Sequence, residues 1–133
     1  MSLSVQTIQT LYADLAQGNL SKILAFLDPN TKIYIPDSLA YGGVYQGADG
    51  FITLMKRVNQ TWFSVQVIPD PVIASDGRII VTGECIGKSS AAAHPIRFPF
   101  VHLWVMPHGL LTEVWLYYWD TARILTYLAE TKA

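Results

Sequence analysis

The sequence predicts an α+β domain in which helices come first and an antiparallel sheet follows. Three observations lead to this class. Apolar residues recur at helical spacing in three segments of the first half. The second half consists of apolar segments separated by turn signals, with no helical pattern between them. At 133 residues the chain has the length of one domain, which we assign to residues 1–133.

The helices are predicted from apolar spacing and from residues that favour helix ends. The first helix begins after Ser4, a good N-cap, and ends near Gly18. The second spans about residues 20–27 and the third about residues 48–59, with an irregular segment rich in Gly and Tyr over residues 37–47 between the first strand and the third helix. A short last helix starts at Asp120, whose side chain is expected to act as its N-cap.

Five strands are predicted. The first is residues 32–35, the second about residues 62–73, and the third residues 78–87. Ser75-Asp76-Gly77 provides a hairpin turn between the second and third strands. The last two strands form a hairpin over residues 98–120, with Pro107-His108-Gly109 at its turn.

This last hairpin is the most informative part of the chain, because neither of its strands alternates between apolar and polar residues. Antiparallel hairpins usually have one face in water, whereas both rows of side chains here are apolar or aromatic. We therefore expect the helices of the chain to cover one face and a second subunit to cover the other, which makes the protein a homodimer.

Composition excludes several classes of function. Hydrophobic residues make up 51% of the chain and charged residues only 14%, against about 25% charged in an average protein. A net charge of −1 with scattered Lys and Arg gives no reason to expect nucleic acid. No apolar run approaches the roughly 20 residues that span a membrane. The N-terminal segment shows no signal peptide and Cys85 is the only cysteine, so we expect a cytoplasmic protein in which Cys85 is a buried, inert thiol.

Three segments together carry a resemblance to a known family. They are LYADLAQGNLSKILAFLDPNTKIYIP near the start, VYQGADGFITLM at the entry to the third helix, and GLLTEVWLYYWD near the end. Two further features are typical of the same family: Tyr45-Gln46-Gly47 before a helix, and an aromatic strand that ends in Trp119-Asp120. In order and spacing the chain resembles the nuclear-transport-factor-2-like superfamily, and most of all its SnoaL-like branch, over essentially its whole length.

The resemblance implies a cone-shaped, cystatin-like fold. A strongly curved antiparallel sheet would wrap round the three helices of the N-terminal half, and a short C-terminal helix would follow. The cone would enclose an apolar pocket, and the outer sheet face would form a dimer. The superfamily includes ketosteroid isomerases, polyketide cyclases, epoxide hydrolases, dehydratases and binding domains without activity, so the fold alone does not decide the function.

The family's catalytic positions are largely apolar in this chain. By alignment, the general base of the isomerases falls at Ile35, their oxyanion tyrosine at Leu11 beside Tyr12, and their protonated aspartate at Val101 beside His102. Ile35 cannot accept a proton. The charged residues of the fold-related epoxide hydrolases fall at Val101 and Tyr117. The chain therefore resembles the scaffold and departs from both catalytic sets.

The same alignment assigns the hairpin rows to the two sides of the sheet. The ligand pocket is predicted to be lined by Leu11, Leu15, Ile35, Tyr45, Met55, Val101, Leu103, Trp115, Tyr117 and Trp119. The dimer interface is predicted to contain Phe100, His102, Trp104, Leu116 and Tyr118. In this arrangement His102 faces outward and can share its face with Glu84, as a satisfied interface pair, a catalytic contact or a pH-sensing contact.

For function, we predict that the domain binds a small apolar or cyclic molecule. If it is an enzyme, isomerase, cyclase or lyase chemistry would use one acid–base group in a dry pocket, with Asp37 as the base and Tyr45 or Tyr12 as hydrogen-bond donor. The alternatives are a binding module without catalysis and an interaction domain whose cavity is filled. No residue cluster indicates a metal or a cofactor.

Overall fold

The computed structural model describes residues 4–131 and confirms the α+β class. Within this range it contains four α-helices and seven β-strands. The helices are α1 (Val5–Ala16), α2 (Ser21–Phe26), α3 (Gly47–Thr61) and α4 (Thr121–Thr131). The strands are β1 (Lys32–Ile35), β2 (Gly43–Gln46), β3 (Ser64–Pro69), β4 (Ile73–Ser75), β5 (Arg78–Lys88), β6 (Ile96–Val105) and β7 (Glu113–Tyr118).

The predicted helix caps are confirmed at both ends of the chain. Ser4 Oγ accepts a hydrogen bond from the Thr7 amide at 3.1 Å, which satisfies one of the free N–H groups at the start of α1. Asp120 Oδ1 accepts from the Arg123 amide at 2.8 Å at the start of α4. Asp120 therefore acts as a helix cap.

The strands form one curved sheet that does not close, in the order β2-β1-β7-β6-β5-β3, with β4 also paired to β5. All neighbours are antiparallel except β1 and β7, which run parallel with Lys32 opposite Glu113. α1 packs against α2 and β3, whereas α3 packs against β1 and β2 and also contacts α2. These three helices lie on the inner side of the sheet, and α4 contacts β6. No helix within residues 4–131 has the length and apolar character needed to cross a membrane.

Two segments differ from the sequence-based prediction. The region predicted to be irregular contains β2, which pairs with β1 from Ile35–Gly43 to Lys32–Gln46. A four-residue strand that begins at a glycine is too short for alternation to reveal it. The strand predicted over residues 62–73 is divided into β3 and β4 by Pro71, which cannot donate a ladder hydrogen bond.

The prediction of which hairpin side chains face inward is wrong. The buried row of β6 contains Phe100, His102 and Trp104, which are 2%, 7% and 5% exposed. The row predicted to line the pocket faces outward instead, with Val101, Tyr117 and Trp119 at 40%, 50% and 74% exposed. Leu103 and Trp115 lie in the same outer rows and are only partly buried.

Adjacent residues of a strand point to opposite faces, so an alignment error of one residue inverts every assignment. Apolar alternation could not detect this error, because both rows are apolar. Charged residues do distinguish them. Arg97 and Glu113 belong to the outer rows of β6 and β7, and Arg78, Glu84 and Lys88 belong to the outer row of β5.

Candidate functional site

A cavity of about 710 Å³ lies between the inner sheet face and the helices α1, α2 and α3. Its wall is mostly aliphatic and aromatic, and no Asp, Glu, Lys or Arg of the described chain lines it. The exposed lining residues define its mouth, between the end of α1, the end of α3 and β3: Ala16, Gly18, Asn59, Ser64, Gln66 and Val67. An apolar enclosure with few polar groups is the usual form of a small-molecule site.

The polar centre of this cavity joins α1 to the middle of β6. Tyr12 and His102 are separated by 90 residues in sequence, but Tyr12 Oη lies 2.5 Å from His102 Nδ1. Trp104, two residues along the same face of β6, donates from its indole Nε1 to Tyr12 Oη at 3.3 Å. Phe100 packs against the other side of the imidazole, with ring centroids 4.2 Å apart.

The direction of these hydrogen bonds assigns the His102 tautomer. An indole N–H can only donate, so Tyr12 accepts from Trp104 and retains its own hydrogen. If the Tyr12 hydroxyl donates to His102 Nδ1, only Nε2 stays unpaired, whereas the reverse direction would leave both the Tyr12 hydrogen and Nε2 unpaired. We therefore place the hydrogen of the neutral imidazole on Nε2. His102 Nε2 is buried and has no hydrogen-bond partner. We name this chain of donors, from Trp104 through Tyr12 to His102, the first relay.

Burial keeps both titratable members of the first relay uncharged. It lowers the pKa of His102 to about 3, because the positive imidazolium would lose its hydration. It raises the pKa of Tyr12 for the corresponding reason, and the hydrogen bond from Trp104 offsets part of that rise. At neutral pH the relay therefore ends in a neutral imidazole, on a residue that lines the cavity.

A second tryptophan–tyrosine pair lies elsewhere in the same cavity wall. Trp62, which follows α3, donates from Nε1 to the Tyr41 hydroxyl at 3.0 Å. Gly87 makes room for the Trp62 ring, since a Cβ there would come within 2.6 Å of it. Both aromatic side chains are buried and line the cavity.

Tyr41 is held in place by the folded segment before β2. The Tyr45 hydroxyl donates to the Tyr41 carbonyl oxygen at 2.8 Å, and Arg57 donates to the Tyr45 hydroxyl at 3.1 Å. Gly42 allows the turn to close, because a Cβ there would lie 2.2 Å from the Pro36 carbonyl oxygen. Tyr45 thus supports Tyr41 and is not itself a lining residue.

The three residues predicted to be catalytic fall in different places. Tyr12 reaches the cavity through the first relay, whereas Asp37 is exposed and lies outside the lining. Of the other predicted pocket residues, Leu15 and Met55 do line the cavity. Leu11 and Ile35 are buried in the core without lining it.

His102 does not pair with Glu84, because the two side chains lie on opposite faces of the sheet. His102 is opposite Val81 on β5, three residues from Glu84, which places Glu84 in the outer row. Glu84 forms an ion pair with Arg97 at 2.6 Å. The positions adjacent to Leu11 and Val101, namely Tyr12 and His102, are those that reach the cavity.

Cys85 lines the cavity from β5 and is buried, as predicted. Burial raises the pKa of its thiol to about 12, and the nearby Glu84 adds to this effect. The thiol is therefore protonated at neutral pH and a poor nucleophile. Within residues 4–131, no three His, Cys, Asp or Glu side chains are grouped in a way that could hold a metal ion.

Comparison with known families and structures agrees with this architecture. Residues 8–114 match the SnoaL-like domain family. A nuclear-transport-factor-2-like protein of unknown function from Burkholderia pseudomallei is 25% identical, with a TM-score of 0.84 over 95% of this chain and 98% of that protein. No protein with a curated function is significantly similar.

Two further structures share the fold at lower identity. TerC, co-crystallised with polyporic acid, is 21% identical, with a TM-score of 0.83 over 94% of this chain and 97% of TerC. IdmH from Streptomyces antibioticus, a candidate polyketide cyclase, is 15% identical, with a TM-score of 0.73 over 93% of this chain and 96% of IdmH.

Proposed function

This chain belongs to the SnoaL-like domain family within the nuclear-transport-factor-2-like superfamily, and on that basis we propose that it binds a small, apolar, cyclic molecule inside its cone. The observation that carries the proposal is His102 Nε2, a buried donor without a partner in the wall of an otherwise apolar cavity. Unpaired buried donors cost about 1–3 kcal/mol, so a ligand that supplies an acceptor gains from pairing this one.

The first relay restricts the chemistry of that ligand. Because His102 is neutral and donates through Nε2, its partner is an acceptor such as a ketone, enol or phenol oxygen. The rest of the ligand contacts aromatic and aliphatic side chains, which favours a flat hydrocarbon ring system. The family relationship supports the same class, since TerC shares the fold and was crystallised with polyporic acid.

Isomerase, cyclase or lyase activity is a second candidate, favoured by the neutrality of the His102 donor. Such reactions build negative charge on a carbonyl oxygen as a proton leaves the adjacent carbon, and preorganised donors in a dry site stabilise that charge. We assign the role of stabilising donor to His102, which Tyr12 orients, and no longer assign an acid–base role to Asp37 and Tyr45, because the latter two do not line the cavity. Water at the cavity mouth would take up the proton that leaves the carbon. The fold shared with IdmH is compatible with this chemistry.

Binding without catalysis is favoured by a different observation. No carboxylate of the described chain lines the cavity, so a proton acceptor of the usual strength is missing there. A carrier needs only the cavity and the donor. The two candidates therefore differ in turnover and agree in ligand class.

Binding is tested with naphthalene and 1-tetralone, two bicyclic molecules of nearly equal size, of which only 1-tetralone has a carbonyl oxygen. For the His102→Phe variant we expect about a tenfold loss of affinity for 1-tetralone, and little change for naphthalene, by calorimetric titration. His108→Asn, in an exposed turn, is the control and should bind both probes like the unmodified protein. Equal affinity of the His102 variant for 1-tetralone would reject the assigned donor.

Turnover is tested with the same ketone. Hydrogen next to the carbonyl of 1-tetralone exchanges with deuterium from D₂O when an enolate forms, and NMR measures this rate. Faster exchange with the unmodified protein than with His102→Phe indicates enolising activity. Bound 1-tetralone that exchanges at the solution rate indicates a carrier.

We also propose that the outer sheet face mediates a homodimer, as predicted, but with the opposite row of side chains. Tyr34, Trp115 and Tyr117 stack along this face, with centroid distances of 3.8 and 6.3 Å, and Val101 lies beside Tyr117 on the neighbouring strand. Analytical ultracentrifugation of Val101→Glu should show monomer where the unmodified protein shows dimer. A dimer that survives this substitution would move the interface elsewhere.

A further inference from the structure

The inner sheet face carries a continuous series of aromatic contacts that connects the two tryptophan–tyrosine pairs. Its successive ring centroids are 5.9, 5.8, 6.0 and 5.8 Å apart, in the order Trp62, Phe98, Tyr118, His102 and Tyr12. The first relay occupies one end of this series, and the Trp62–Tyr41 pair occupies the other. Tyr118 lies in the middle.

The hydroxyl hydrogen of Tyr41 is free to donate. Tyr41 accepts from the Trp62 indole, which has no acceptor atom to offer in return. Among residues 4–131 no acceptor receives a hydrogen bond from the Tyr41 hydroxyl, although the side chain is only 5% exposed. In the first relay the equivalent hydrogen of Tyr12 is used by His102.

The hydroxyl of Tyr118 is available as well. Within the described chain it forms no hydrogen bond, and its ring is held by edge contacts with Phe98 and His102. Tyr118 lines the same cavity as Tyr41. Phe98 contacts both Tyr118 and Trp62, and thereby connects Tyr118 to the Trp62–Tyr41 pair. Burial raises the pKa of Tyr118 well above its usual value, so its hydroxyl keeps its hydrogen at neutral pH.

We propose that the hydroxyls of Tyr41 and Tyr118 form a second donor subsite, which binds a second acceptor oxygen of the molecule held by His102. This inference rests on the proposed function and specifies its ligand. Donors at two places in one apolar cavity favour a ring system with two oxygens, such as a cyclic diketone, a hydroxyketone or a quinone. A hydrocarbon or a molecule with one oxygen would leave the hydroxyls of Tyr41 and Tyr118 without an acceptor on the ligand, or hydrogen-bonded to water.

The subsite is tested with three probes of one ring system: naphthalene, 1-tetralone and 2,3-dimethyl-1,4-naphthoquinone. The methyl groups of the quinone block addition of the Cys85 thiol. Calorimetric titration of Tyr41→Phe and of Tyr118→Phe should show about a fivefold loss of affinity for the quinone in each variant. A loss of this size corresponds to the removal of one neutral hydrogen bond. Affinity for naphthalene and 1-tetralone should change less than twofold.

Tyr117→Phe is the matched control, since it removes a hydroxyl from the adjacent residue on the outer face. It should bind all three probes like the unmodified protein. Two results overturn the second subsite while the proposed function stands: unchanged quinone affinity in both variants, or an equal loss for all three probes. If none of the three probes binds the unmodified protein, the proposed function fails and the second subsite with it.

Discussion

The two faces of the β6–β7 hairpin have almost the same apolar composition and opposite environments. The inner face places His102 and Trp104 against α1, where their polar atoms are directed to specific partners. The outer face places Trp115 and Tyr117 in a stack that is open to solvent within the single chain. Hydrophobicity therefore does not decide which face encloses the site.

The two faces differ in how their polar and charged atoms are paired. The outer face carries charged side chains, among them the exposed ion pair of Glu84 with Arg97. The inner face has no charged group of the described chain in its cavity, and its first relay ends at the unpaired His102 Nε2. The Tyr41 hydroxyl accepts from Trp62 and donates to no residue of the described chain. A core that served packing alone would pair every donor or avoid them.

The largest expected effect tests which face is the core. Phe100→Ala, on the inner face, should lower the free energy of unfolding by about 3–5 kcal/mol, because it leaves a cavity. Val101→Ala, the next residue on the outer face, should cost less than about 1 kcal/mol. Urea denaturation of both variants at low micromolar concentration measures the difference. Comparable losses would show that the faces are not distinct.

The second prediction concerns the buried histidine. The folded pKa of His102 is about 3, below the value of about 6.5 of an unfolded histidine, so the unfolded chain binds an extra proton between these values. The free energy of unfolding should therefore fall as pH decreases below about 6.5, by up to about 1.4 kcal/mol per pH unit from this group. Above that pH the contribution of His102 is constant.

Urea denaturation at pH 7.5, 5.5 and 4.5 measures this slope. His102→Gln should flatten it, and His108→Asn, a substitution in an exposed turn, is the control. An identical slope in the His102→Gln variant would mean that other groups cause the acid sensitivity.

The smallest expected effect compares polar pairs on the two faces. Glu84→Gln, in the exposed pair with Arg97, should cost less than about 1 kcal/mol, and 0.5 M salt should abolish the difference. Tyr12→Phe, in the buried first relay, should cost about 1–3 kcal/mol at any salt concentration, since it leaves Trp104 Nε1 and His102 Nδ1 unpaired. If salt changed the effects of Glu84→Gln and Tyr12→Phe equally, the polar pairs of the two faces would not differ in their exposure to solvent.

The sequence was sufficient for the fold class and for the ends of the helices. Ser4 and Asp120 cap helices because their side chains act on amides three residues away, and local rules suffice for such contacts. β2 was missed because it is only four residues long and depends on β1 for its hydrogen bonds. Pro71 could have indicated the division of the second predicted strand.

The site was harder to predict than the fold. Tyr12 was a candidate from the sequence, but its partner His102 is 90 residues away and was assigned to the wrong face. An alignment shifted by one residue is invisible where both rows of a strand are apolar. Whether the hydroxyls of Tyr41 and Tyr118 are free to donate depends on which neighbouring atoms accept hydrogen bonds from them. Only the three-dimensional arrangement provides that information.

The parallel pairing of β1 with β7 has a consequence for how the chain folds. Within residues 4–131, the β1–β2 hairpin joins the rest of the sheet through β7 alone, about 80 residues later in the chain. Contacts of such sequence separation form slowly, because a long loop must close first. During synthesis, the helices of the first half therefore emerge before the strand that completes the sheet beside them. The edge of β1 that pairs with β7 stays open until residues 113–118 leave the ribosome, and an unpaired strand edge is prone to aggregation during that interval.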